Sequence, residues 1–275
     1  MERILLAVDQ SYQSYRASAA HAELSSAGVF TGGLYGFMVS LAKLIRETRA
    51  TDLVICQDRK PYKRSEEFPD YKNFRKAKAD DKLLELHQQT MELLPDFFHA
   101  IGAPVVGIPG FESDDCIAAL ARDYRGRFTT IYAASNDSDL FQLFRYPNFR
   151  VVKKDADSIV GPDYLEKLGI TPDEFVLMSA LQGTHNDLPG IPGIGEKTAL
   201  KAIKDPGHLR RLQDGHGALI ERNQRLIRLP HPAMPRIRIA RPAESFDPRR
   251  LYRFSARYDI EATRAMLDSF NQVNP

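Results

Sequence analysis

Ile4-Leu5-Leu6-Ala7-Val8-Asp9 is a continuous apolar run that stops at a carboxylate, the pattern of a parallel strand buried on both faces. Outward from it, Gly32 to Arg49 carries Leu34, Phe37, Met38, Leu41, Leu44 and Ile45 at helical spacing. Leu53-Val54-Ile55-Cys56 reads as a second strand, ending in Gln57-Asp58. Asp81 to Ile101 reads as helix, Pro104-Val105-Val106 as a short strand, and Glu112 to Tyr124 as helix. Phe128 to Ala133 then reads as strand and Asp137 to Phe144 as helix. Strands and helices alternating at this spacing predict an α/β domain with a mostly parallel sheet. Such sheets bind ligands outside the carboxyl ends of their strands.

Carboxylates fall at that edge. Asp9, Asp58 and the pair Asp137 and Asp139 each follow a strand, and Glu112-Ser113-Asp114-Asp115 opens the helix after another. An acidic first turn also suits the helix dipole, and Ser135-Asn136-Asp137 also suits an N-cap, so neither segment alone identifies a ligand set. Gathered at one edge, the acids would repel one another and resist desolvation unless a counter-ion joined them. Divalent Mg2+ or Mn2+ is the usual one, because hard cations take oxygen ligands, and such sites serve phosphate chemistry.

A chain of 275 residues, 43% hydrophobic and 27% charged, has the composition of an ordinary globular protein, enough for one large domain or two smaller ones. The net charge of +2 hides an uneven distribution: Lys201 to Arg257 holds 14 Lys/Arg against 5 Asp/Glu, and Arg59 to Lys78 holds 8 against 3. Acidic and basic patches together suit a polyanion held over metal ions. Cys56 and Cys116 lack metal-ligand spacing and read as small core residues, which excludes a disulfide framework. The N-terminus has no signal-peptide layout, and no apolar stretch approaches the roughly 20 residues of a membrane span, so the expectation is a cytoplasmic protein.

Residues 59–80 interleave basic side chains with Tyr62, Phe68, Tyr71 and Phe74, the ingredients of single-strand binding, although a solvated charged loop would look similar. After about residue 160 the chain turns to helices and turns. Thr171-Pro172-Asp173-Glu174 caps a helix that runs through Leu181 and ends at Gly183. Gly190-Ile191-Pro192-Gly193-Ile194-Gly195 then turns into another helix, whose N–H groups can bind phosphate without reading a base. An ordinary helix–helix turn shares that pattern, but Lys197 and Lys201, one turn apart on the next helix, favour phosphate. No histidine shows catalytic pairing, and His185, beside Asp187, is the single candidate among them.

Together these motifs resemble the 5′-nuclease family of phage flap endonucleases and 5′–3′ exonucleases, which includes the 5′-nuclease domain of bacterial DNA polymerase I. Leu5 to Asp9 with Ser14-Tyr15-Arg16-Ala17 is similar to the family's opening strand and its Tyr-Arg-Ala. Asp58, Arg64 and Pro69-Asp70-Tyr71-Lys72-Asn73-Phe74-Arg75 resemble its Asp-to-arch segment, and Glu112 to Asp115 its Glu-Ala-Asp-Asp. Ser135 to Leu143 resembles Ser-x-Asp-x-Asp-Leu-x-x-Leu, and Gly183 to Ala199 the family's glycine-rich DNA-binding motif. The likeness runs in family order over residues 4–200.

The resemblance implies a PIN-like sheet domain over 1–165 with a helical arch at 59–80, followed by a helical DNA-binding region over 166–275 with a helix–three-turn–helix at 183–204. It implies two divalent ions held, directly or through water, by Asp9, Asp58, Glu112, Asp114, Asp115, Asp137, Asp139 and Asp187. Asp9 and Asp58 also belong to the expected catalytic set, with Lys72 and Arg75 contacting the scissile phosphate. DNA contacts fall to Arg16, Arg64, Tyr71, Gly190, Gly193, Ile194, Gly195, Lys197 and Lys201, and the turn's carbonyls are placed to bind K+. The expected substrate is DNA with a 5′ flap or a 5′ end at a duplex junction, cut by a monomer in a bacterial or phage-infected cell during replication or repair.

One departure bears on the metal. Thr184 stands where the family has an acid, and Leu188 where it has Asn, which predicts a weak second ion. That leaves two alternatives open: a catalytically weakened structure-specific DNA-binding protein, and a related ribonuclease, of PIN-toxin or RNase H type, acting on RNA or RNA–DNA hybrids.

Overall fold

The computed structural model describes residues 2–72, 80–184, 188–240 and 246–273. Its centre is a six-stranded sheet ordered β5-β4-β1-β6-β7-β8, where β1 is Ile4–Asp9, β4 Asp52–Cys56, β5 Val105–Val106, β6 Thr130–Ala134, β7 Phe149–Val152 and β8 Ile159–Val160. Every pairing is parallel except β7 with β8. Leu5 to Val8 have no solvent exposure, as an all-apolar central strand covered on both faces requires. Register aligns the strand ends: Asp9 lies opposite Cys56, and Val8 opposite Ala134. The segments leaving β1, β4 and β6 therefore emerge at one edge. β7 and the two-residue antiparallel β8 are not foreseen from the sequence, being too short to leave a periodic signal.

Helices cover both faces. On one side lie α1 (Gln10–Ala20), α2 (Gly32–Thr48) and α4 (Asp81–Ile101), with the two-stranded pair β2 (Ser25–Ser26) and β3 (Val29–Phe30) between α1 and α2. Within the arch segment, the described residues form the short helix α3 (Lys63–Glu67) and a turn through Tyr71 and Lys72; residues 73–79 of the expected arch lie outside the described residues. On the other side lies α5 (Ser113–Tyr124), followed by α6 (Asp163–Leu168), α7 (Pro172–Gln182), α8 (Glu196–Lys204) and α9 (Pro206–Ile227). The expected helix after β6 is a 3-10 helix, Ser138–Arg145, with Leu140, Phe141, Leu143 and Phe144 turned into the core.

The core continues across residue 165: Phe141 meets Tyr164 at 5.1 Å and Phe175 at 5.8 Å between ring centroids. The last helices, α10 (Pro248–Arg257) and α11 (Arg264–Gln272), return to the α2–α4 side, where Phe254 and Phe270 each lie 5.7 Å from Phe97. Cys56 and Cys116 are buried, as expected of core thiols. Among the described residues no helix is long and apolar enough to cross a membrane.

α7 leads into β9 (Gly183–Thr184), which pairs antiparallel with β10 (Leu188–Pro189) before the glycine turn opens α8. Gly190 admits no side chain, because a Cβ there would lie 2.1 Å from the Gln182 carbonyl carbon. Gly193 has φ +80°, a conformation glycine adopts without steric cost.

Candidate metal and phosphate site

A cleft of about 580 Å³ opens at the carboxyl edge of the sheet. Asp9, Asp58, Asp114, Asp137 and Lys72 line it, with the hydroxyls of Ser11, Ser113 and Ser135. Each acid is delivered by its own element. Asp9 ends β1 and caps α1, accepting the Tyr12 N–H at 3.2 Å. Asp58 follows β4, Asp114 stands in the first turn of α5, and Asp137 caps the 3-10 helix after β6.

Neutral donors hold these carboxylates in place. Ser113 Oγ and Ser135 Oγ each donate to Asp9 at 3.0 Å, on opposite oxygens. Asp58 accepts from Ser11 Oγ at 2.6 Å and from the Ser113 N–H at 2.9 Å. Asp137 accepts the Asp139 N–H at 2.8 Å. Burial, reinforced by the charge on Asp58, pushes Asp9 up to about 6, against the opposing pull of its hydrogen bonds. Asp114 is driven well above the carboxylate range by burial and by Asp137 and Asp9, with Lys72 opposing. Its Oδ1 is buried and has no hydrogen-bond partner among the described residues.

Among the described residues no three His, Cys, Asp or Glu side chains close on one point as they stand. Asp9, Asp58 and Asp137 are instead turned toward hydroxyl and amide donors, as repelling carboxylates are when hydrogen bonds alone stabilise them. The donor set nonetheless fits a hard divalent cation: only oxygen ligands, like charges drawn together, and one buried oxygen left without a partner.

Tyr12, Tyr15, Leu84 and His87 also line the cleft. Tyr15 meets His87 edge-on at 5.6 Å, and His87 Nε2 lies 2.9 Å from Ser14 Oγ. His87 is a cleft residue that the sequence does not single out. Its spacing from Leu84, one turn earlier on α4, was the available signal, but nothing in the sequence told which face of α4 meets the acids.

Several expected site residues stand elsewhere. Asp115 is fully buried and pairs with both Arg64 amino groups, at 2.5 and 2.8 Å, while accepting the N–H groups of Glu112 and His231. Asp115, an expected metal ligand, lies outside the cleft lining with both oxygens engaged by Arg64. Arg64, expected at the DNA, is 3% exposed inside that ion pair. Glu112 accepts from Arg64, Tyr71 and Lys72, and with Asp139 it lies outside the cleft lining. Arg16 is half-buried on α1, bonded to Gln13 at 2.9 Å and to Ser40. Arg75, His185 and Asp187 lie outside the described residues. Thr184 and Leu188 hold the β9–β10 pair together, the Leu188 N–H donating to Thr184 Oγ1 at 3.2 Å with the leucine in the core.

The glycine turn presents differently. Gly193, Gly195, Lys197 and Lys201 are exposed, Ile194 is partly buried, and Gly195 leaves the first N–H groups of α8 without a side-chain cap. That combination suits an anion.

Residues 4–169 match the family model described as 5′–3′ exonuclease, N-terminal resolvase-like domain. DNA polymerase I of Mycobacterium bovis is 31% identical over 218 residues, covering 76% of this chain and 23% of the polymerase. The chain thus spans about a quarter of the length of the curated relatives it matches. Two solved structures share the fold. The bacteriophage T5 D15 flap endonuclease, in a pseudo-enzyme-product complex with DNA and metal ions, aligns with a TM-score of 0.67 at 19% identity, covering 98% of this chain and 97% of that one. Flap endonuclease-1 from Methanococcus jannaschii aligns with a TM-score of 0.63 at 16% identity, covering 98% and 92%.

Proposed function

The chain belongs to the 5′–3′ exonuclease family through its N-terminal resolvase-like domain, and from that premise we propose that it is a structure-specific 5′-nuclease, hydrolysing DNA phosphodiester bonds at 5′ ends or flaps with divalent-metal assistance. The observation that carries this reading is Asp114: a half-buried aspartate with one buried oxygen that has no hydrogen-bond partner among the described residues, beside Asp137 and Asp9, in a cleft that Lys72 also lines.

Asp9, Asp58, Asp114 and Asp137 are the residues proposed to hold Mg2+ or Mn2+, with Asp187 a further ligand from the sequence motif. When bound, such ions lower the pKa of the attacking water and stabilise the leaving oxygen. The chain's own residues do the rest. Ser113 and Ser135 keep Asp9 aimed into the cleft through their hydroxyls. Lys72 sets its ammonium against the charge on the phosphate, worth about 3–4 kcal/mol if it acts like one oxyanion-hole donor. Arg75 is its expected companion. Tyr15 and His87 offer a wall against which a base packs and water is displaced. Lys197 and Lys201, with the N–H groups of the Gly190–Gly195 turn, grip duplex phosphates, and the turn's carbonyls are a candidate K+ site. The protein is proposed to act as a monomer on bacterial or phage DNA.

The test uses end-labelled 5′-flap DNA, blunt duplex and RNA–DNA hybrid at matched ionic strength, with Mg2+, Mn2+ or chelator. The expected result is product from flap DNA with either metal and none with chelator. Binding without product under both metals identifies a DNA-binding protein, and product from the hybrid alone identifies a ribonuclease.

A further inference from the structure

Arg64 is fully bonded. A guanidinium has five N–H donors, and each meets an acceptor: Nε the Leu226 carbonyl at 2.7 Å, Nη1 Glu112 Oε2 at 3.1 Å and Asp115 Oδ2 at 2.5 Å, Nη2 Asp115 Oδ1 at 2.8 Å and the Arg228 carbonyl at 3.2 Å. Leu226 and Arg228 mark the C-terminal end of α9, and α9 packs on α7 and α8, the helices flanking the glycine turn. Glu112 in turn receives the Tyr71 hydroxyl at 2.9 Å and the Lys72 ammonium. One buried arginine thus touches both the seat of the turn-bearing helices and the carboxylate that holds Lys72.

Charge fixes the arrangement. Arg64 alone leaves one of the two carboxylates, Glu112 or Asp115, without a matching cation, and Lys72 completes the balance at two of each sign. Lys72 is held there in the left-handed region, φ +61°, where a side chain is strained and only surrounding contacts keep it. Glu112 is one of those contacts, beside the rings of Tyr62 and Tyr71.

We propose that Arg64 is a positioning residue: by fixing Glu112 between α9 and the Tyr71–Lys72 turn, it sets where the Lys72 ammonium stands in the cleft. The placement of Lys72 then depends on how α9, and with it the Lys197–Lys201 helix, is seated. This rests on the nuclease reading above.

The test is a double-mutant cycle in single-turnover cleavage of 5′-flap DNA at saturating protein. Arg64→Lys keeps the charge but offers a point cation with three donors in place of a planar fork. The expected result is a rate lowered by about 10²-fold, as for a group displaced by an ångström, with flap affinity unchanged. In a Lys72→Ala background the same substitution should lower the rate further by less than about twofold, the margin for independent sites being exceeded only when two residues act together. If Arg64→Lys costs the same factor with and without Lys72, Arg64 does not act through Lys72 and the proposal is overturned. Glu112→Gln, nearly isosteric, runs the same cycle should the arginine variant fail to fold. Absence of cleavage by the unaltered protein overturns the nuclease reading, a result distinct from independent losses in the cycle.

Discussion

Ser113 Oγ lies 3.0 Å from Asp9 Oδ1, joining residues 104 positions apart. The serine opens α5, the aspartate ends β1, and the same serine's N–H reaches Asp58. One small residue therefore holds two carboxylates that would otherwise only repel. Ser113→Ala should destabilise the metal-free protein by about 1.5–3 kcal/mol, the usual value of a hydrogen bond to a charged group. Saturating Mn2+ should recover most of that loss in thermal melts. An alanine variant as stable as the parent without metal would show that the hydroxyl does not support Asp9.

The raised Asp9 sets a pH dependence for the metal-free protein. Its folded value of about 6 exceeds the ordinary 3.8, so the folded state holds that proton more tightly. The contribution to stability is therefore full below 3.8 and is lost as pH rises through 6, at a cost on the order of 3 kcal/mol above neutrality. Asp9→Asn, which cannot ionise, should melt several degrees higher than the parent at pH 8 without metal and nearly equal to it at pH 4. Equal melting temperatures at pH 8 would contradict the burial argument.

Lys72→Ala should lower single-turnover cleavage by about 10²–10³-fold while leaving flap binding nearly intact, because the ammonium acts on charge that develops in the reaction. Filter binding and quenched-flow rates separate the two effects. A variant that binds poorly but cuts at the parental rate would reassign Lys72 to substrate capture.

Lys197→Ala with Lys201→Ala should weaken duplex binding without regard to sequence. It should also reduce the slope of log affinity against log salt by about 1.8, two phosphate contacts at about 0.9 each. An unchanged slope would remove the α8 lysines from the interface.

Much of the architecture was readable because strong signals carried it. The apolar run Ile4 to Val8 could only be a strand covered on both faces, and acids placed after β1, β4 and β6 had to share an edge once those strands ran parallel. Asp9, Asp58, Asp114 and Asp137 do line one cleft. Facing direction was not readable. Asp114 and Asp115 are neighbours in one helical turn and so point apart, but which of them meets the cleft and which meets Arg64 is not written in local spacing, and Arg64 itself is bonded to the end of α9, more than 100 residues later. His231 joins the same cluster from a Pro-broken stretch with no periodic signal, its ring 3.1 Å from Glu67. Long-range ion pairs of this kind leave no trace in local spacing.

Titrating Mn2+ into the metal-free protein and into Asp114→Asn, followed by electron paramagnetic resonance of the unbound ion, tests most directly whether the carboxylate edge is a metal site. The expected result is binding by the parent and at least a tenfold weaker affinity in the variant, the lower range for losing an element of a metal site. Equal binding by both proteins, or none by either, would contradict the assignment of Asp114 and its neighbours to the metal.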